Sequence, residues 1–391
     1  MQFLLHGHEF NLKGANRGFF TTRLRANLER LLEGCECRVG MRGLGLMVDC
    51  PAAHAADARA RLERALGVQT IVAGERVAPT AEAIAPVALA MIASQNGASF
   101  ALNVLRPDKA LGITSYEIAV AVGRHIEQTL GLPVNLRQPE RRCTIVLSRQ
   151  GALVSRAPES GPGGMPAGTA GRLLALVSSG YDSPVAAFRL MRRGGRVMLL
   201  HFYGTPPAGR GSSLPAVEQI ARQLTRYQLY TRLYLCPFEA TQRTIVAECP
   251  APLRVLLYRR MMLRIGEALA RTIHAHGLIT GDSLAQVASQ TVLNLEAVST
   301  AARMVVYRPL IGDDKIAIQA EARRIGTYEA SSELADDCCS AFLPRSPSLA
   351  ATPRETETGE AGLDVAALTQ AALADVVARR FRLERGEVTE G

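Results

Sequence analysis

The segment Leu173–Pro184 reads LLALVSSGYDSP: an apolar run, then a loop of small residues with one carboxylate, then the start of a helix. The loop is Ser178-Ser179-Gly180-Tyr181-Asp182-Ser183, with Ser183 placed to cap the helix and Pro184 suited to its first position. Gly194 and Gly195 end that helix before the next strand. Small residues between a strand and a helix N-terminus let several backbone N–H groups converge, and the helix dipole makes that spot bind phosphate. A plain strand–turn–helix is the alternative. No Gly-Lys-Ser/Thr follows, so this is not a Walker loop, and it is not the dinucleotide pattern G-x-G-x-x-G either.

Thiols and lysines are the other residues with chemistry in them. Of 8 cysteines, only Cys35/Cys37 and the adjacent Cys338-Cys339 are closely spaced, and no C-x-x-C pair occurs. In a reducing compartment such cysteines are core residues, metal ligands or reactive thiols. Lys13, Lys109 and Lys315 are the only lysines among 45 basic residues. Lysine is compact, flexible and able to shift its pKa where arginine is not, so these positions are candidates for roles that arginine cannot fill.

Alternating strands and helices must position the loop. Strands are expected at Leu173–Val177, Val197–Phe202, Tyr230–Cys236 and Leu278–Thr280, with a further run at Val305–Leu310. Helices are expected from Pro184, near Pro215–Tyr227, and from Leu253 to His276. Parallel strands need such crossovers, so residues 167–345 read as a doubly wound α/β domain. Gly161–Gly171 is a Gly/Pro linker before it. Residues 1–75 read as a small α+β unit, with an alanine-rich helix at Ala52–Ala65. Residues 76–166 hold helices at Thr80–Ser94 and Ser115–Leu130, the latter capped by Ser115, and strands at Ser99–Leu105 and Cys143–Leu147. Residues 346–391 read as a polar tail with one helix near Ala366–Phe381.

At 391 residues, two or three domains are expected, and 48% apolar residues imply folded ones. The net charge is +9, of which residues 167–345 carry +7, and residues 346–391 carry −3. That balance suits a polyanionic partner touching several domains, or a solvated basic surface. Met1–Phe10 lacks the features of a signal peptide, and the stretch around Ala83–Ala93 contains Pro86 and is too short to span a bilayer. A cytoplasmic protein without a membrane partner is expected.

The loop resembles the S-G-G-x-D-S loop of the PP-loop pyrophosphatases, which split ATP into AMP and pyrophosphate, with Ser179 where that group carries glycine. Leu12-Lys13-Gly14-Ala15-Asn16-Arg17 resembles the K-G-x-N-R motif of the tRNA 4-thiouridine synthetase family, also known as the thiamine-biosynthesis sulfurtransferase. Arg106-Pro107-Asp108-Lys109, with Ser115 and Glu117, resembles its THUMP domain, an RNA-binding module. Tyr258–Met262, Thr280–Thr291, Arg308–Gly312, Asp314-Lys315, Ile325–Tyr328 and Asp337-Cys338-Cys339 resemble its catalytic blocks.

The resemblance covers about residues 1–345 and implies an N-terminal ferredoxin-like domain (1–75), a THUMP domain (76–166) and a PP-loop ATP pyrophosphatase domain (167–345). It implies ATP contacts at Leu176, Val177, Ser178, Gly180, Ser183, His201, Phe202, Arg259, Gly281 and Gln290. Asp182 would sit beside pyrophosphate and its magnesium, with no metal site made by protein alone, and Lys315 would neutralise developing charge. Cys339 would carry the sulfur, and Lys13, Arg17, Arg106 and Lys109 would contact tRNA. The implied reaction is adenylation of uridine O4 at tRNA position 8, then attack by persulfide sulfur from a cysteine desulfurase. Donation to a sulfur-carrier protein for the thiamine thiazole, or tRNA binding by a protein with a decayed loop, are the rival readings. A homodimer and a monomer both stay open. The family's Glu-Arg after the Pro-Pro pair is replaced in Ala208–Ser213, and the rhodanese domain of longer relatives has no counterpart after Arg345.

Overall fold

The computed structural model describes every residue except His8, 10–13, 43–44, 107–111, Gln150, 205–211, 332–343 and Arg345. The chain forms two compact units, Met1–Gly164 and Met165–Gly391.

The first unit opens with β1 (Gln2–His6), α1 (Arg17–Leu31), β2 (Arg38–Arg42), β3 (Gly45–Asp49), α2 (Ala55–Leu62) and β4 (Thr70–Val77). It continues with α3 (Ala81–Ala93), β5 (Phe100–Leu105), α4 (Ser115–Leu130), β6 (Arg141–Ser148), β7 (Gly151–Ser155) and β8 (Glu159–Ser160). One sheet runs in the order β2-β3-β1-β4-β7-β6-β5, with β8 paired to β4. The expected divide after residue 75 therefore falls inside β4, which pairs with β1 on one side and β7 on the other. Ile84, Ala88 and Ile92 of α3 and Ile118, Val122 and Ile126 of α4 recur at helical spacing and are fully buried against Ile145 and Leu147. The cap of α4 is Thr114 rather than Ser115. Its hydroxyl accepts from the Glu117 amide at 3.1 Å, while the Glu117 carboxylate accepts from the Thr114 amide at 2.7 Å, a capping box.

The second unit begins β9 (Arg172–Leu176), α5 (Asp182–Arg192), β10 (Arg196–Tyr203), α6 (Leu214–Gln228) and β11 (Tyr230–Pro237). Then come α7 (Glu239–Glu248), α8 (Arg254–Thr272), β12 (Leu278–Ile279), α9 (Val292–Ser299), β13 (Val306–Tyr307), α10 (Lys315–Ile325) and α11 (Tyr328–Ser331). The chain closes with α12 (Pro353–Gly359), α13 (Val365–Ala374), β14 (Val377–Glu384) and β15 (Glu387–Glu390). The sheet order is β13-β12-β9-β10-β11-β14-β15. Its first five strands are parallel and the last two antiparallel. β10 is buried along almost its whole length, as a strand covered on both faces must be. Met198, Leu200 and Phe202 pack toward α8, while α6 packs against β10, β11 and β14.

The expected polar tail is instead part of this unit. The helix expected at Ala366–Phe381 stops at Ala374, and a strand follows. In Val377–Glu384 the alternation is strand-like: Phe381 and Leu383 are buried, while Arg380, Arg382 and Glu384, which flank them, are exposed. Pairing with β11 covers an edge that would otherwise stand open. Among the described residues, no helix is long and apolar enough to cross a membrane.

Candidate active site

The chain passes from β9 to β10 and β11 in one direction, then returns to place β12 on the other side of β9. Loops leaving the C-terminal ends of β9 and β12 therefore diverge, and ligands bind in the crevice such a switch point opens. A cleft of about 350 Å³ lies there. Leu176, Val177, Ser178, Asp182, Ser183, His201, Phe202, Arg259, Gly281 and Gln290, all expected from the sequence, line this one cleft.

The loop after β9 is held from within. The Ser178 amide donates to Ser183 Oγ at 2.9 Å, and the Gly180 amide donates to Ser178 Oγ at 3.2 Å. Ser183 is therefore not the helix cap. α5 begins at Asp182, and Tyr181 at the cap position makes no side-chain cap bond. Gly180 sits in the loop without lining the cleft. Ser179 is buried, lies outside the cleft lining, and has no positive φ, so a serine is accommodated there without backbone strain.

Gly281 is needed by close approach. A Cβ at this position would stand 2.7 Å from the Ser183 nitrogen and 2.8 Å from its Cα, so the loop after β12 can pass the start of α5 only as glycine. Ala285 takes a left-handed φ of 61°, and its amide donates to the Gln290 carbonyl at 2.9 Å. This turn brings Gln286 to Asp182, where Nε2 donates to Oδ2 at 3.2 Å.

Two aspartates in the cleft differ in their surroundings. Asp282 is buried and fully engaged: it accepts from Arg259, from Arg308 at 3.0 Å and from Thr280 Oγ1 at 2.8 Å. Burial pushes its carboxyl up, but Arg259, Thr280 and Arg308 outweigh this and hold it below the usual carboxylate range. Among the described residues Asp182 has no guanidinium partner, and burial raises it despite the Gln286 hydrogen bond and the more distant Lys315 ammonium. Its Oδ1 is buried and, among the described residues, without a hydrogen-bond partner. A buried acceptor of this kind fits a cation, and a magnesium–triphosphate would find in Asp182, Ser178 and the start of α5 the donors and acceptor it needs.

His201 is buried, with Nδ1 donating to the Val177 carbonyl at 2.9 Å and Nε2 meeting Ser213 Oγ at 2.8 Å. It ties the ends of β9 and β10 together at the cleft wall. Lys315 starts α10, is fully exposed, and lies 5.9 Å from the Tyr181 ring centroid. The Tyr181 hydroxyl, then the nearby Asp182, hold its ammonium above the usual lysine range. It stands beside the loop rather than in the cleft lining. Arg17 opens α1 and Arg106 follows β5, both in the first unit, and Arg106 donates to the Ile113 carbonyl at 3.0 Å. Lys13, Lys109 and Cys339 lie outside the described residues.

Asp282, Arg308 and Gln286 had no role in the sequence reading, although each stands in a block compared there. An aspartate between two runs carrying arginine was the available signal, and only the fold closes it into an ionic hub.

A doubly wound α/β unit with a small-residue loop at its switch point, preceded by a ferredoxin-like unit, defines a nucleotide-binding enzyme of the PP-loop type. Residues 168–365 match the family model described as "Thiamine biosynthesis protein (ThiI)", and residues 2–72 match "ThiI ferredoxin-like domain". A Thermus thermophilus protein named "Probable tRNA sulfurtransferase" is 44% identical, covering 87% of this chain and 84% of its own. A Nocardia farcinica protein of the same name is 36% identical over 94% and 91%. The crystal structure of a 4-thiouridine synthetase–RNA complex with bound ATP superposes with a TM-score of 0.88 at 28% identity, covering 97% of this chain and 99% of that one. The chain belongs to the ThiI family of tRNA sulfurtransferases.

Proposed function

We propose that this chain uses ATP and magnesium to activate a uridine carbonyl in tRNA and replaces that oxygen with sulfur from a Cys339 persulfide, giving 4-thiouridine at position 8. The observation that carries the reading is Asp182 Oδ1, buried and unpartnered among the described residues, beside a phosphate-suited loop in the switch-point cleft. The solved 4-thiouridine synthetase complex, bound to RNA and ATP, supports both ligands.

A uridine carbonyl has no leaving group, and ATP with magnesium supplies one by adenylating O4. Each side chain then has a task. Ser178, Ser183 and the amides at the start of α5 orient phosphate oxygens. Asp182 would hold a magnesium ion, which would supply charge neutralisation for the phosphates. Lys315, across the loop, meets charge developing on the departing pyrophosphate. Leu176, Val177 and Phe202 offer an apolar wall to adenine, and the Asp282 hub fixes Arg259 and Gln290 at the far side. A cysteine desulfurase leaves a persulfide on Cys339; its outer sulfur attacks C4 and AMP departs. A second thiol then attacks the Cys339 sulfur, releasing the thiocarbonyl and leaving a disulfide, while Arg17, Lys13, Arg106 and Lys109 contact tRNA phosphates. A thiamine sulfur-carrier protein as a second acceptor is favoured by the family model's description alone.

Nucleoside mass spectrometry tests the reading: unmodified tRNA is incubated with the protein, ATP, magnesium and sulfide. Thiouridine that needs ATP and disappears in Asp182→Asn is the expected result. With a desulfurase and cysteine in place of sulfide, Cys339→Ser should lose product. Product without ATP, or full desulfurase-driven activity in Cys339→Ser, would overturn the corresponding step.

A further inference from the structure

Three cysteines that the proposed reaction does not use meet in the first unit. Cys35 and Cys50 are buried and Cys37 is half-buried. They are not equivalent. The Cys35 thiol donates to Asp57 Oδ2 at 3.4 Å, whereas Cys37 Sγ lies 2.7 Å from Cys50 Sγ. Glu36, between the first two, takes a left-handed φ of 54°, and Cys37 follows this turn directly before β2. The strand register completes the arrangement. Arg38 of β2 pairs with Asp49 of β3, so Cys37 and Cys50 occupy the next directly opposed positions of the same antiparallel pair. Opposed side chains there are close enough for a cross-strand bond.

A shared metal does not account for this spacing. Two thiolates on one zinc, each about 2.3 Å from it in a tetrahedron, stand roughly 3.8 Å apart. The sulfurs of Cys37 and Cys50 are much closer than that, and among the described residues no group of three or more His, Cys, Asp and Glu is arranged to hold a metal ion.

We propose that Cys37 and Cys50 form a reversible intrachain disulfide by exchange with a low-molecular-weight disulfide, with Cys35 excluded from the bond. The Cys37 thiolate attacks one sulfur of the reagent and expels the first thiolate. Cys50, once deprotonated, attacks the Cys37 sulfur of the mixed disulfide and expels the second. Two protein thiols and one external disulfide become one protein disulfide and two external thiols. Cys50 is already anchored: its amide donates to the Met1 carbonyl at 3.0 Å, and the Met1 ammonium donates to its carbonyl at 3.1 Å. The bond would therefore lock the β2–β3 hairpin beside β1 with little native rearrangement, and it would restrict the unfolded chain. Burial and the neighbouring Cys50 push the Cys37 thiol well up, so exchange is slow near neutrality and quickens as the pH rises.

The test equilibrates the full chain with oxidised glutathione at pH 8.5, blocks remaining thiols with iodoacetamide and maps tryptic peptides. Trypsin releases Cys35 and Cys37 on one peptide, because no Lys or Arg lies between them, so Cys35→Ser is mapped beside the wild type. Both should yield the Cys37–Cys50 linked pair, lighter by two hydrogens than its reduced parts, and dithiothreitol should abolish it. Cys50→Ser should instead leave Cys37 as a glutathione adduct. Fully alkylated Cys37 and Cys50 in the wild type, or a link lost in Cys35→Ser, would overturn the assignment.

Discussion

Asp182, half-buried, and Asp282, buried, share one cleft and shift in opposite directions, because burial prevails at Asp182 while Arg259, Thr280 and Arg308 prevail at Asp282. That separates their work. Asp282 spends its lone pairs on protein donors and organises arginines, while Asp182 keeps an oxygen for something outside the chain. Because burial raises Asp182, the step that needs it ionised should fail at a higher pH than an ordinary carboxylate would allow. The sign for stability is the reverse. Ionised Asp182 destabilises the folded state above its folded pKa, and this effect vanishes below its unfolded one. Asp182→Asn should therefore raise the thermal midpoint while lowering thiouridine formation about 10²–10³-fold, the range for losing one preorganised electrostatic group. Calorimetry beside a rate assay checks both, and a variant that loses activity and stability together would contradict it.

At the scale of elements, the cleft depends on loops passing closely. Gly281→Ala forces a methyl into the backbone of Ser183, which is not a flexible neighbour. The expected cost is about 1–3 kcal/mol, as for overpacking, with ATP affinity falling at least as much as stability. Equilibrium unfolding and ATP titration would show it, and unchanged ATP affinity would count against the loop's role. The C-terminal elements are held by a buried charge cluster. Glu360, after α12, receives Arg260 at 2.7 Å and Arg264 at 2.8 Å, and Arg260 is 1% exposed. Burial pushes the Glu360 carboxyl up, but the two guanidiniums outweigh it and hold it below the usual range. Its contribution is thus present above the unfolded carboxylate pKa and is lost as pH falls through the lowered folded value. Arg264 can turn to water if Glu360 is removed, but Arg260 cannot. Glu360→Ala should cost about 3–5 kcal/mol, read in urea unfolding at neutral pH, and progressively less as the pH falls below the usual carboxylate range.

For the whole molecule, residues 165–391 carry the entire cleft and their own core, while the other compact unit carries Arg17 and Arg106. A fragment of 165–391 should keep ATP binding yet lose tRNA thiolation, whereas one cut before β14 should aggregate because the β11 edge is bared. Sedimentation and nucleoside analysis distinguish these outcomes. A fragment of 165–391 that thiolates tRNA at full rate would remove the first unit from substrate binding.

What the sequence by itself determined was local. The strand–loop–helix of Leu173–Arg192 is contiguous, so its small residues, carboxylate and helix start announce a phosphate site without any knowledge of the rest. The order of catalytic blocks likewise identified the family. What only tertiary structure decided depends on partners far apart in the chain. Asp282 meets Arg259 and Arg308 because β12 pairs beside β9, Gln286 reaches Asp182 through a left-handed turn, and the apparent tail becomes two strands because β11 offers an edge. The helix expected at 366–381 failed for the same reason. Its second half alternates with a period of two, and Phe381 and Leu383 find their burial in the sheet. Local signals give a residue's preference, but parallel pairing across long crossovers sets which preferences meet.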